Sequence, residues 1–232
     1  MNDNKNFQRK PLFSGLLTLS GILIGLLLSV LAVWADYEST AYGFLRRAQA
    51  PFQGLICPVF IGKNESRIVS IKISNPTDRT LSPGVRTEIS TSLELDSKTE
   101  HIKLAPGEQV TLQRTIGPDN IDLGLFIFVD ALVYSAYPMP DRQNTCGILV
   151  LPITGGLILI LGTALSILFM TAGMFISYKN GLPARRPRPM LFMVIATMLA
   201  MIFGFMGWWL LAVILIVFLI LTLVITAGTF FQ

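Results

Sequence analysis

Charged residues divide the chain into three long apolar stretches and one polar region. No charged residue occurs in 12–35, in 147–178 or in 190–231. A helix needs about 20 apolar residues to cross the hydrocarbon core of a bilayer, so the first stretch fits one crossing. The third stretch is about twice that length, which predicts a hairpin of two helices. The pattern therefore predicts four transmembrane helices.

These boundaries predict the organisation of the whole chain. It comprises a cytoplasmic tail (1–11), transmembrane helix 1 (12–35), an extracytoplasmic domain (36–147), helix 2 (148–178), a basic cytoplasmic loop (179–189), helix 3 (190–206) and helix 4 (208–230). Helix 1 could instead be a signal peptide cleaved after Val33-Trp34-Ala35. Its apolar run is longer than the usual h-region of about 7–15 residues, which favours an uncleaved anchor.

Within the polar region the hydrophobic period changes to two, the period of β-strands. From Val85 to Leu95, apolar residues and threonines alternate with Arg86, Glu88 and other polar residues. This pattern predicts a strand with one buried and one solvent-facing side. The segment 125–134 is apolar on both faces apart from Asp130, which predicts a central strand. Turn signals every 8–12 residues favour a β-sandwich.

One turn of this region resembles a known class of module. Leu104-Ala105-Pro106-Gly107-Glu108, followed by Val110-Thr111-Leu112, is similar to the turns of bacterial immunoglobulin-like modules. The resemblance implies an all-β, Ig-like sandwich inserted between helices 1 and 2. It implies a fold and no particular function.

The basic residues indicate topology more than a ligand. The chain has 18 basic and 14 acidic residues, for a net charge of +4. The excess lies in two short segments beside apolar stretches, which is the positive-inside pattern and places both termini in the cytoplasm. The topology-determining residues are Lys5, Arg9, Lys10, Lys179, Arg185, Arg186 and Arg188. A lipid-binding role for 183–188 is the alternative, and we expect no nucleic-acid partner.

The two cysteines, Cys57 and Cys146, both lie in the polar region. An extracytoplasmic compartment is oxidising, which favours a disulfide between them over two free, buried thiols. The bond would close a loop of about 90 residues and stabilise the domain by roughly 4 to 5 kcal/mol at most.

Small residues recur at helical spacing in the predicted helices. Such residues let two helices approach closely, and Gly21 with Gly25 forms a GxxxG pair. The predicted helix-packing residues are Gly21, Gly25, Ser29, Gly155, Gly162, Ser166, Gly173, Ala196, Ala200 and Gly204.

The sequence predicts no catalytic, cofactor-binding or metal site. Pumps and transporters usually keep ionisable groups inside their spans, and the three apolar stretches carry none. One histidine, His101, and two paired cysteines do not supply a metal or haem site. We expect His101 to be a surface residue. Asp130 is expected to accept backbone hydrogen bonds at a bulge or sheet edge.

These patterns favour a non-enzymatic membrane protein that displays its β domain outside the cell. It would act as a scaffold or accessory subunit, with membrane lipids and either a membrane-protein partner or further copies of itself as its contacts. Two alternatives remain open, a ligand- or lipid-sensing module and a subunit of an oligomeric pore. An enzyme would have to work at Asp130 or His101.

Overall fold

The computed structural model describes residues 3–48, 50–134, 137–179 and 187–228. They form two compact units, a β-rich unit of residues 34–156 and a helical unit from 1–33 and 157–232. The helices are α1 (Asp3–Ala41), α2 (Gly155–Lys179), α3 (Pro187–Phe205) and α4 (Trp209–Gly228). The boundary between the units falls inside α1, between Val33 and Trp34.

The β-rich unit contains nine strands and one short 3-10 helix in its described residues. The strands are β1 (Ala50–Pro51), β2 (Leu55–Ile56), β3 (Phe60–Gly62), β4 (Arg67–Ser74), β5 (Gly84–Ile89), β6 (Asp96–His101), β7 (Gln109–Ile116), β8 (Phe126–Tyr134) and β9 (Arg142–Leu151). The 3-10 helix, Pro118–Asn120, lies between β7 and β8.

The strands form two sheets of unequal size. The larger has the order β1-β9-β8-β5-β6, and β3 also pairs with β9. The smaller has the order β2-β4-β7. Strands β1 and β3 run parallel to β9, whereas the other pairs are antiparallel.

The core lies between the two sheets, in a β-sandwich-like arrangement. Every second residue of a strand faces the same side, so one face of each sheet is apolar. Val69 of β4 and Ile116 of β7 share a buried cluster with Ile89 and Val129 of the larger sheet. A second cluster holds Ile71, Ile73, Val85, Ala131 and Val133.

The expected disulfide is confirmed. Cys57 follows the end of β2 in the smaller sheet, and Cys146 lies on β9 in the larger one. Their Cα atoms are 6.6 Å apart, and the bond joins residues 89 apart in the sequence. It therefore ties the two sheets together across the core.

Small residues of the helical unit lie where α1 meets α2 and α3. The hydroxyl of Ser166 donates a hydrogen bond to the Gly21 carbonyl oxygen (2.8 Å). A Cβ atom at Gly21 would lie 2.8 Å from the Met170 nitrogen, and one at Gly173 would lie 2.1 Å from the Thr18 hydroxyl. Only residues without a Cβ fit such close approaches.

The remaining predicted packing residues lie at several places. Gly25 faces Thr197 and Met201, Gly162 faces Leu28, and Gly204 faces Ser29 and Ala32. Ala196 and Ala200 are buried in the helical core. Gly155 lies instead in the β-rich unit, where a Cβ would be 2.3 Å from the carbonyl carbon of Phe60.

The topology-determining residues are described only in part. Lys179 is exposed, with its ammonium 5.0 Å from the centroid of the Phe175 ring. Arg185 and Arg186 lie outside the described residues, as do the side chains of Lys5, Arg9, Lys10 and Arg188.

The expected fold class, four transmembrane helices with an inserted all-β, Ig-like sandwich, is wrong. Among the described residues, only Phe13–Ala41 and Gly155–Lys179 are helical stretches long and apolar enough to cross a bilayer. A turn at 206–208, with Gly207 at φ 73, divides the last charge-free run. The resulting apolar helices, Met190–Phe205 and Trp209–Ile225, are shorter than the roughly 20 residues that one crossing needs.

The β-rich unit also departs from the expected sandwich. Immunoglobulin-like sandwiches are built from antiparallel sheets, whereas the larger sheet here is mixed, with two strands parallel to β9. The chain is a helical and β-rich protein with mixed sheets. Its two apolar helices and its disulfide are features of a membrane or secreted protein, although a buried core helix and a signal sequence also pass the test of length and composition.

Candidate functional site: the covered outer face of the larger sheet

The outer face of the larger sheet is covered by residues 34–48, which we call the covering segment. It consists of the last residues of α1 and the chain that follows them. The Trp34 ring packs edge-to-face on Phe126, with centroids 5.1 Å apart. Farther along, Tyr42 lies over Phe128 at 4.4 Å and contacts Phe44 at 4.9 Å. A row of aromatic rings therefore holds the segment on β8.

Gly147 of β9 allows the helix to approach the sheet at its backbone. A Cβ atom at Gly147 would lie 1.8 Å from the carbonyl oxygen of Ala35, which no side chain could tolerate. The Gly147 amide donates a hydrogen bond to the Asp36 carboxylate (3.2 Å). This one glycine therefore sets how closely α1 lies on the sheet.

The Gln143 side chain makes four hydrogen bonds, three of them to the far part of the covering segment. Its amide nitrogen donates to the Leu45 carbonyl oxygen (3.0 Å) and to Asp130 Oδ1 (2.9 Å). Its amide oxygen accepts from the backbone nitrogens of Arg47 (2.7 Å) and Ala48 (3.2 Å). These bonds use both donors and both lone pairs of the side chain. Gln143 thereby couples the covering segment to Asp130.

Two buried carboxyl groups lie on this face in adjacent strands. Glu88 of β5 and Asp130 of β8 are direct partners in the antiparallel register. Asp130 is 2% exposed and Glu88 is 6% exposed. The Arg86 guanidinium forms an ion pair with Glu88. Arg86 Nε itself is buried and has no hydrogen-bond partner among the described residues.

Burial raises the pKa of Asp130 to about 6, because its carboxylate is desolvated. The hydrogen bond from Gln143 works in the opposite direction, the charge of Glu88 raises the pKa further, and Arg47 and Arg86 lower it. Asp130 therefore changes charge in a range where most exposed aspartates are fully ionised. The Gln143 amide connects the Asp130 carboxyl group to the covering segment.

Tyr42 supplies a further polar contact of the covering segment. Its hydroxyl donates a hydrogen bond to Asp122 Oδ2 at 2.5 Å. Burial, and then this bond and the charge of Asp122, raise the pKa of Tyr42 to about 12. The hydroxyl therefore stays protonated at physiological pH and remains able to donate to Asp122.

Glu65 joins the β3–β4 turn to the start of α2. Its Oε2 accepts the backbone N–H groups of Gly62 (2.9 Å) and Gly155 (3.0 Å), and Oε1 accepts Arg67 Nε (2.5 Å). Burial opposes ionisation of Glu65, but the two amides and Arg67 outweigh it and keep the pKa below its usual value. The carboxylate is therefore the form that the fold stabilises.

Both chain ends of the β-rich unit emerge at the same end of the larger sheet, where β8 begins. Trp34, the first residue of the unit, contacts Phe126, the first residue of β8. Phe126 in turn pairs with Leu149, close to the end of β9. The next helix, α2, then starts at Gly155 beside Glu65.

The structure overturns the expectation for Asp130, whereas His101 lies on the surface as expected. Asp130 is not at a bulge or a sheet edge; it lies on a central strand, and its described hydrogen bond comes from a side chain. His101 is exposed at the end of the edge strand β6, with its ring 6.4 Å from that of Tyr134. No group of three or more potential metal ligands occurs among the described residues.

The expected solvent-facing side of β5 is also wrong, because Glu88 on that side is buried beside Asp130 and Arg86. Glu88 and Ser90 were assigned to water from their polarity, yet both are buried. The functional residues missed from the sequence are Glu88, Gln143 and Tyr42. Alternation predicts which residues share a face, and no signal in the sequence showed that the polar face would be covered.

No protein-family model and no curated protein matches this chain. Solved structures that resemble part of it include native Escherichia coli alpha-2-macroglobulin, at 26% identity over 42% of this chain and 6% of that one, with a TM-score of 0.36. The same protein activated by porcine elastase gives 23% identity, 44% and 9% coverage, and a TM-score of 0.34. A β-glucosidase from Erythrobacter marinus is 18% identical over 38% of this chain and 14% of that one, with a TM-score of 0.27.

This chain therefore spans between 6% and 14% of the length of those proteins. The TM-scores are too low to carry an argument about topology or activity. The resemblance to immunoglobulin-like modules is supported only at the level of a β-rich domain.

Proposed function

We propose that this protein is a non-enzymatic, membrane-anchored scaffold or accessory subunit that presents its disulfide-tied β-rich unit on the extracytoplasmic side. Its partner would be another membrane protein or further copies of the chain, with membrane lipids around the anchor.

One observation carries the proposal. Both chain ends of the β-rich unit leave from one end of the larger sheet, and each continues into an apolar helix long enough to cross a bilayer. A unit tethered at one end leaves its other surfaces free to bind a partner. Large apolar side chains are exposed along α2, as a lipid-facing helix requires. They include Leu157, Ile160, Leu161, Leu165, Leu168 and Phe175.

The buried carboxyl groups support a structural use of the covered face. General acid–base catalysis needs a titrating group within hydrogen-bond reach of a substrate. Asp130 and Glu88 are almost fully buried, and their described contacts are to Gln143 and Arg86. They hold strands and the covering segment in place, which fits a rigid binding module.

The disulfide supports the extracytoplasmic side, because such bonds persist in oxidising compartments. Thiol labelling of the denatured, unreduced protein from its native host tests this directly. We expect no reactive thiol, since the chain has 2 cysteines and both are bonded. Two free thiols in freshly isolated membranes would place the unit in a reducing compartment.

Assembly is tested by purifying the tagged full chain from native membranes in a mild detergent. The mass and subunit ratio of the eluting complex, together with cross-linking before solubilisation, identify what it binds. We expect a stoichiometric membrane protein or a homo-oligomer. A monomer in both measurements would contradict the proposal.

The variant Cys57→Ser/Cys146→Ser is the matched control, because it weakens the β-rich unit and leaves the helices unchanged. Loss of the partner in this variant would assign binding to the β-rich unit. Retention of the partner would assign it to the helices and contradict a role for the β-rich unit in presentation.

A further inference from the structure

Four leucines are exposed on two turns of the β-rich unit. Leu93 and Leu95 lie in the connection from β5 to β6, and Leu123 and Leu125 in the connection from β7 to β8. Their exposed fractions are 96%, 36%, 68% and 48%, respectively. We call these four residues the leucine turns. Apolar side chains that are exposed to water are hydrated unfavourably. Covering them with something other than water therefore lowers the free energy.

The two leucine turns lie at the same end of the larger sheet. Residue Ile89, the last of β5, pairs with Val129, near the start of β8. The loops that extend beyond them contact each other, since the Ser90 hydroxyl donates to the Asn120 carbonyl oxygen (2.9 Å). This is also the end at which Trp34 packs on Phe126 and at which both chain ends emerge.

The backbone at Leu123 indicates that its side chain is kept for a contact. Leu123 and Gly124, the central residues of a tight turn, have φ values of 49 and 71. The Leu125 amide closes the turn with a bond to the Asp122 carbonyl oxygen (3.3 Å). Such turns favour asparagine followed by glycine, because most side chains are strained at positive φ. Leucine here is both strained and exposed, and the turn itself gains nothing from it.

We propose that the leucine turns are a second membrane contact, which inserts into the acyl region of the outer leaflet beside the point where α1 leaves the bilayer. This inference rests on the proposed membrane anchorage. It adds that the sheet end at 93–95 and 123–125 faces lipid.

The charges near this end are of both signs. Asp36, Glu38 and Asp122 lie close to it, with Trp34 bound to Glu38 and Tyr42 bound to Asp122. Lys63, which follows β3, and Arg67, the first residue of β4, lie at the same end. Because charges of both signs give no preference for anionic headgroups, the contact is with the acyl chains, and Trp34 supplies the amphipathic ring typical of this depth.

The test uses the full chain in phosphatidylcholine vesicles, with single cysteines as fluorescent reporters. Leu123→Cys and Leu93→Cys are labelled with a polarity-sensitive dye, and nitroxide-labelled phosphatidylcholine serves as the quencher. The native cysteines are bonded, so each variant adds one reactive thiol. We expect blue-shifted emission and quenching about twofold or more above that of a water-exposed site.

Leu45→Cys is the matched control. Leu45 is 66% exposed, nearly as much as Leu123. Leu45 lies beside Gln143, which pairs with Leu132 of β8. Leu132 is six residues along β8 from Phe126, which places Leu45 about 20 Å from the leucine turns. We expect its dye to behave as in water. Equal, water-like signals at positions 123, 93 and 45 would overturn the inference and leave a protein partner as what covers the turns.

A third reporter separates this outcome from failure of the anchorage itself. Leu23→Cys lies in the apolar part of α1 and is quenched by the nitroxide lipid if that helix is in the bilayer. Quenching at position 23 without quenching at 123 and 93 overturns the lipid contact alone. No quenching at position 23 overturns the proposed anchorage.

The variant Leu123→Asn tests why leucine occupies the turn. Asparagine suits the positive φ, so we expect a higher Tm of the full chain together with weaker quenching of a dye at Leu125→Cys. A lower Tm with unchanged quenching would mean that the turn, and not lipid, requires leucine, and would also overturn the inference.

Discussion

Asp130→Asn replaces a buried, ionisable group by a neutral side chain of the same shape. Asparagine retains an oxygen that can accept the bond from the Gln143 amide, which in the native protein is 2.9 Å long. It cannot carry the charge that burial disfavours. We therefore expect the variant to be more stable than the native protein at neutral pH.

The magnitude follows from the pKa of Asp130, which rises from 3.8 to about 6 on folding. Below pH 3.8 the group is protonated in both the folded and the unfolded chain, and its pKa shift costs nothing. As the pH rises through about 6, the folded protein must ionise a buried carboxyl, and stability is lost. The shift corresponds to about 3 kcal/mol at full ionisation, or on the order of 10 °C in Tm for a unit of this size.

The assay is thermal unfolding of the full chain in detergent, followed by near-ultraviolet circular dichroism from pH 4 to 8. The difference in Tm between the variant and the native protein is compared at each pH, which cancels the other titrating groups. We expect a difference near zero at pH 4 that grows through pH 6. Asp78→Asn, at an exposed turn position, removes the same charge and should give no such trend.

A difference in Tm that does not change with pH would refute this reasoning. So would a variant that is less stable than the native protein at pH 7.5. Either result would mean that Asp130 keeps its charge at low cost, for example because Arg86 stabilises the carboxylate more than burial disfavours it.

Three further substitutions have defined outcomes. Gly147→Ala should detach the covering segment and expose it to trypsin, because the new Cβ would lie 1.8 Å from a backbone oxygen. Gly43→Ala is the control: a Cβ there has nothing within 4 Å, so digestion should be unchanged. Cys57→Ser/Cys146→Ser should lower stability towards chemical denaturation by about 4 kcal/mol, the entropic value for a loop of this length. Glu65→Gln should lower the Tm at pH 7, and the effect should shrink as the pH falls below 4.5 and through the lowered pKa of the folded protein, because the stability that a lowered carboxyl pKa contributes is lost over that range.

Each of these expectations can fail in a recognisable way. Trypsin resistance in Gly147→Ala would show that α1 can move away from the sheet without loss of the segment. Equal stability of the native protein and the double serine variant would mean that the unfolded chain gains little freedom without the bond. A Glu65→Gln effect that does not shrink between pH 7 and the lowest pH at which the native protein stays folded would assign the role of Glu65 to its shape alone.

The sequence predicted the local features of the β-rich unit well, but it predicted poorly which segments pair with one another. Cys57 and Cys146 were expected to pair from their number and compartment, and the bond is present. Alternation placed Val85 and Ile89 on one face of a strand, and both lie in the core. The strand ends at Ile89, however, and the later part of the same alternation, up to Leu95, lies in the connection between β5 and β6.

Long-range arrangements were missed for a physical reason. Parallel pairing of β1 and β3 with β9 joins segments about 90 residues apart, and no local periodicity encodes it. The charge-free run 190–231 was counted as two crossings from its length. Helix ends at 205 and 209 divide it into shorter apolar helices, which depends on backbone geometry at Gly207.

The place of β9 in the sheet also determines when the β-rich unit can fold during synthesis. β1, β3 and β8 all pair with β9, which is the last strand of the unit. At about 5–20 residues per second, the ribosome needs roughly 5 to 20 s to reach residue 142 after residue 50. During that time β1 and β3 lack their partner strand, although β2, β4 and β7 and the β5–β6 pair do not need it, and unpaired strand edges are open to aggregation. The segments that form β1 and β3 must therefore avoid pairing with other chains until β9 has been translated.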